Sequence, residues 1–139
     1  MNAWYDEGLR QFGLGSVAWK TAGGSAIKAL LIDTAAYTVD LATDATLADI
    51  PAGARVGSPA AMVLIDAAAG GVLDANDLSI TGLVGTPTVE ALVVFHDTGV
   101  EGTSTLLLYI DDATGLPVPG GVAQVNVAWN NGANKIARL

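Results

Sequence analysis

The order of apolar and polar residues divides the chain into a short helical start and a long series of strands. Near the N-terminus Tyr5, Leu9 and Phe12 recur at helical spacing with Trp4 beside them, which gives one apolar face. Asn2 can cap such a helix. Asp6 and Glu7 lie in its early turns, Arg10 comes late and Gly13 can end it, so the pattern predicts one helix over 2–12. From Ser25 the period shortens. Apolar runs at 27–32, 60–65, 78–80, 88–96 and 105–110 read as strands, and the Val-rich run at 88–96 suits a strand buried on both faces. The clearest period of two lies at 122–129, where Ala123, Val125, Val127 and Trp129 are expected on a buried face and Gln124 and Asn126 outside. Asn131-Gly132 then reads as a tight hairpin turn into 135–139.

Gly and Pro punctuate the runs: Gly23-Gly24, Pro51 with Gly53, Gly70-Gly71, Gly85 with Pro87, Gly115 with Pro117, and Pro119-Gly120-Gly121. Many short strands with such turns predict a mainly β chain, an antiparallel β-sandwich or barrel-like domain with a short N-terminal helix. The whole of 1–139 is read as one β-rich domain, with 1–15 as a helix or arm and 25–139 as the sandwich. No helical pattern of ten or more residues separates the strands, so a parallel α/β sheet is not expected. Residues 40–50, with Leu41, Leu47 and Ile50 among Asp and Thr, read as a loop or short helical turn.

Composition sharpens this picture. Hydrophobic residues make up 51% of the 139 residues and mean hydropathy is +0.46, yet no apolar run reaches the roughly 20 residues of a membrane helix. No membrane partner is therefore expected, and the apolar side chains belong in a core or between subunits. At this molecular mass the scaling law gives a folded surface of about 6,700 Å². The formal net charge is −8 and the six basic residues are scattered singly, so no nucleic-acid partner is expected. Absence of Cys excludes disulfides and thiolate zinc sites and fits assembly in a reducing cytoplasm. The acidic start at Asp6-Glu7, with no apolar segment after it, is not the pattern of a signal peptide.

Candidate chemistry is sparse, and no cofactor, metal or catalytic residue is expected. His96 is the only His and adjoins Asp97, but nothing nominates a nucleophile for the pair to serve. Asp74, Asn76 and Asp77 match the opening of a calcium loop in spacing alone, since the glycine and distal Glu of an EF-hand are missing. An acidic loop holding calcium stays open as an alternative. The glycine clusters form neither phosphate-binding motif. A binding protein is expected rather than an enzyme. The apolar face of the N-terminal helix either closes one end of the sandwich or forms an aromatic arm of Trp4, Tyr5, Leu9 and Phe12 that docks on a neighbour; that arm and the turn bearing Pro51 and Arg55 are the interface candidates.

Several blocks, in consistent order, resemble a family of small virion structural proteins of tailed bacteriophages. They are Trp4-Tyr5, Gly8-Leu9, Phe12 and Gly15; DIPAGARV at 49–56; EALVVF at 90–95 with Asp97-Thr98-Gly99; LLYID at 107–111 through TGLP at 114–117; and WNNGANKI at 129–136. The resemblance implies a non-enzymatic virion component assembled in the host cytoplasm. A capsid decoration protein binding the major capsid lattice is the first expectation, with other virion proteins as partners if it is instead a tail, neck or fibre component. Analogy with decoration proteins suggests a homo-oligomer, specifically a trimer. From a different class, a carbohydrate-binding β-sandwich module would need exposed aromatics, and aromatic residues are only 6% of this protein.

Overall fold

A computed structural model describes residues 2–139. The described residues are mainly β, with one α-helix and three antiparallel sheets among them. Its strands are β1 (Asn2–Trp4), β2 (Ile27–Ile32), β3 (Arg55–Ala61), β4 (Leu64–Ala68), β5 (Val72–Ala75), β6 (Leu78–Ile80), β7 (Ala91–His96), β8 (Leu106–Ile110), β9 (Val125–Val127) and β10 (Ala137–Arg138). The single helix, α1, spans Asp6–Gly13. A five-stranded sheet in the order β1-β8-β7-β2-β3 carries the core, flanked by the sheets β10-β5-β4 and β6-β9.

The three innermost strands, IKALLI, ALVVFH and LLLYI, have almost no polar side, and both faces of their sheet are buried. Ile27, Ala29 and Leu31 of β2 join Leu92 and Val94 of β7 on one face. Trp19, Leu64, Leu73 and Ile80 cover them from the smaller sheets and the segment before β2, as the second layer of a sandwich. On the opposite face lie Leu30, Ile32, Val93 and Phe95. That face is closed by Tyr5, Tyr37, Leu47, Ile50 and Ala54, from the N-terminus and the long 33–54 connection. Residues 40–50 contain one short helical turn, at Leu47–Asp49, where Thr46 and Asp49 form a capping box. Two-sided burial is how this protein accommodates its apolar excess. Its accessible surface, 6811 Å², is close to the scaling value for a monomer of its mass.

The N-terminus departs from the predicted single helix. Asn2 does not cap. Its side chain donates to Asp112 O and accepts from the Asp111 and Asp112 N–H groups, which pins 2–4 as an edge strand along β8. The helix begins only after Tyr5, whose backbone stays extended. A bulge explains the switch. Val94 pairs with Leu108 and Phe95 with Leu106, leaving Leu107 as the extra residue, and its carbonyl accepts the Tyr5 N–H at 2.9 Å. Gly8 lets the helix lie against this bulge, because a Cβ there would stand 2.7 Å from Leu106 O.

Pro59, which directly precedes the apolar run expected as a strand at 60–65, lies inside β3. It is tolerated there because β3 is at the sheet edge. The expected run at 60–65 is accordingly split, with β3 ending at Ala61 and β4 starting at Leu64. The alternation at 122–129 yields only the three residues of β9, paired with β6. Val125, Val127 and Trp129 are half-buried against the core and Ala123 is exposed, so the expected buried face is a partly wetted one. Nor does Asn131-Gly132 make a hairpin, since β10 pairs with β5 instead of β9. Asn130 Oδ1 takes the Gly132 N–H at 2.6 Å, a side-chain turn in place of a ladder turn.

Candidate functional site

The predicted aromatic arm is taken apart by the fold. Tyr5 is fully buried, and its hydroxyl lies 3.0 Å from that of Tyr37, which donates to Asp44 Oδ2 at 2.6 Å. A carboxylate only accepts, so Tyr37 spends its proton on Asp44 and accepts from Tyr5. Burial pushes both phenols above their ordinary range, so they stay protonated hydrogen-bond partners. Tyr5 is a core residue and offers no docking surface. Trp4 is half-buried. Its indole N–H reaches Arg138 O at 3.2 Å and its ring meets Phe12 edge-on, with centroids 5.6 Å apart. Phe12 packs against the sandwich core, and Leu9, 43% exposed, is the arm residue that points outward.

The second candidate turn also divides. Pro51 is exposed, whereas Arg55 is a clamp. Its guanidinium donates to Ile50 O at 3.0 and 2.7 Å and to Leu47 O at 2.7 Å, and it takes Glu101 in a two-point pair at 2.6 and 3.2 Å. The planar fork of Arg fits this mixture of carbonyls and carboxylate, which an ammonium does not. The clamp ties the 47–54 turns to the helical turn at Glu101–Thr103, beneath which Leu47 and Ile50 fill the core. Arg55→Ala is expected to lower stability by about 1–3 kcal/mol, because Ile50 O loses its side-chain donors. Arg55→Lys should recover only part of the loss in a denaturant titration.

The acidic groups hold backbone in place. Asp97 makes no hydrogen bond to His96, whose charge is the least of the influences on it. Its carboxylate takes Lys28 Nζ at 2.6 Å and the Gly99 N–H at 2.9 Å, and Lys28 above all holds it below the usual carboxylate range. Asp49 is lowered by the N–H groups of Thr46 and Ala45, and Glu101 by Arg55. Of the calcium-like residues, Asp77 Oδ1 accepts the Trp129 N–H and the backbone carbonyl of Asn76 accepts its indole N–H. Asp74 caps Ala75 and stands 3.7 Å from Lys135. Among the described residues no group of three or more His, Asp or Glu is placed to hold a metal ion.

Asp97, Asp49 and Glu101 fix the direction of the pH response. Their folded pKa values lie below the unfolded ones, so their contribution is fully present above the unfolded values and is lost as pH falls through the folded ones. Melting temperature should therefore drop as pH is lowered below about 4, the ordinary Asp range. Asp97→Asn should flatten part of that drop while lowering the plateau at neutral pH. A melting temperature that rose on acidification would contradict this arrangement.

Two open concavities flank the central sheet. One, of about 600 Å³, lies between its β2-β7 face and the 112–136 segment, with Leu31, Leu92, Val127 and Trp129 in its walls and Asn2, Asp112 and Asn130 among its polar residues. The other, of about 490 Å³, is bordered by Tyr37, Tyr109, Glu90 and Pro117. Sequence reasoning missed the most exposed apolar side chains, Val84 at 82% and Leu14, Val63 and Val100 at 61% each. The signal for them was an aliphatic residue stranded among turn formers, as Val84 is before Gly85 and Val100 after Gly99. Neither a protein-family model nor a curated protein matches this sequence.

Proposed function

We propose that this protein is a non-enzymatic structural component of a tailed-phage virion, a capsid decoration protein that binds the major capsid lattice. The observation that carries the reading is the use made of its reactive side chains. Arg55, Glu101, Lys28, Asp97, Asp49 and the Tyr5–Tyr37–Asp44 relay each hold a turn or a core face in place. Exposed aliphatic side chains such as Val84, Leu14, Val63 and Val100 on an acidic protein suit weak contacts repeated over many copies. The sequence blocks that resemble small virion proteins give the setting.

Against a sugar-binding module, every aromatic side chain is buried or half-buried. All three indole N–H groups donate to backbone carbonyls, of Arg138, Asp74 and Asn76. Trp129, in the wall of the larger concavity, is the ring nearest to a platform for a sugar, and its indole N–H is already spent on Asn76 O. Association into a trimer belongs to the proposal, by analogy with decoration proteins. The test is to locate the protein in particles of the phage that encodes it, by electron microscopy and by copy number. Copies in proportion to the major capsid protein support decoration. A few copies per particle move it to the tail or neck, and absence from particles rejects the reading.

A further inference from the structure

We infer that Asn131 is a site of spontaneous backbone modification, and that the side chain of Asn130 restrains it. Of the six Asn residues, at 2, 76, 126, 130, 131 and 134, only Asn131 precedes Gly. Both Asn131 and Gly132 are exposed and lie outside any strand. With no Cβ on Gly132, the backbone can turn its nitrogen toward the Asn131 side chain.

The step is a ring closure that needs only water. The Gly132 nitrogen gives up its proton and attacks the Asn131 amide carbon. The bond from that carbon to its own amide nitrogen breaks, and ammonia departs with the proton to leave a five-membered imide. Water then adds across either imide carbonyl, giving aspartate or an isoaspartate whose backbone runs through the former side chain. No oxidant or reductant takes part.

The structure places a restraint on this reaction. The N–H that must be released is held by Asn130 Oδ1 at 2.6 Å, so that bond has to break before the nitrogen can give up its proton. The segment is tethered on both sides. Trp129 N bonds Asp77 upstream and Ile136 N bonds Leu73 O downstream, so rotation about Asn131 is what opens the route. The product matters to its surroundings, because Asn131 borders a shallow depression shared with Asp66, Asp74 and Lys135. A carboxylate at 131 adds negative charge beside the loose Asp74–Lys135 pair, and an isoaspartate lengthens the backbone between two anchored points.

The experiment incubates the whole folded protein at mildly alkaline pH, then maps peptides by mass spectrometry that separates aspartate from isoaspartate. Wild type is expected to convert at Asn131 ahead of the other five Asn residues. Asn130→Ala should convert several-fold faster, and Asn131→Gln should show no product there. Asn130→Asp keeps the acceptor oxygen and should stay near the wild-type rate, which separates the restraint from general loosening of the fold. Equal rates in wild type and Asn130→Ala, both with native circular dichroism, would overturn the role of Asn130. Earlier conversion at another Asn would overturn the site itself.

Discussion

Tyr5→Ala is expected to cost about 3–5 kcal/mol of stability, the range for removing a large aromatic from a core. Tyr5 is fully buried against Leu30, Ile32 and Phe95 in one core cluster, and its N–H satisfies the carbonyl of the β8 bulge. Truncation opens a cavity between the start of α1 and the central sheet. Tyr5→Phe removes only the hydroxyl and leaves the Tyr37–Asp44 bond, so about 1 kcal/mol is expected. Leu9→Ala, on the outward side of the same helix, should stay within about 0.5 kcal/mol. Urea titration of the three variants checks the order. A Tyr5→Ala protein as stable as wild type would return Tyr5 to the surface and undo the assignment of the N-terminus to the core.

Gly57→Ala is the second large effect, and it tests how the sheets are joined. Between the pairs Ala29↔Ala60 and Leu31↔Val56, three residues of β3 stand opposite Leu30 alone. This bulge turns β3 toward the neighbouring sheet, where Ser58 N bonds Thr81 O at 3.0 Å. Gly57 sits at φ +70, and a Cβ there would come within 2.8 Å of both Thr81 O and Leu83 Cδ1. The left-handed conformation costs an L side chain about 1–2 kcal/mol. Crowding adds about 1–3 kcal/mol. Hydrogen exchange should report faster opening of β3 and β6 before the rest of the sheet. If the loss were below about 0.5 kcal/mol, as for an ordinary surface change, the bulge would not be the junction described here.

Much of the fold was legible in the order of residues. The runs at 27–32, 88–96 and 105–110 became β2, β7 and β8, because an unbroken apolar run beside Gly, Pro and Asp punctuation has few other ways to be buried. The short turn within 40–50 was legible as well, since Asp49 three residues after Thr46 forms a local cap. The N-terminus misled. Tyr5, Leu9 and Phe12 do share a helical period, but that period is blind to Asn2, whose side chain finds its partners in the distant Asp111-Asp112 turn. The same limit applies to Arg55, a candidate contact that the fold spends on Glu101 and two carbonyls.

Local sequence was enough to specify a β-rich protein with a short N-terminal helix, the positions of its innermost strands, and the scarcity of groups able to do chemistry. These follow from periodicity, turn residues and composition, which act within a few positions. Long-range pairing alone made 2–4 a strand, joined β10 to β5 rather than β9, and put Tyr5 in the core while Leu9 stayed at the surface. Each depends on a distant partner, such as Leu73 for Ala137 or Leu107 for Tyr5. A residue's period shows which neighbours share its face. Which side of that face meets water is settled by what the remainder of the fold brings against it.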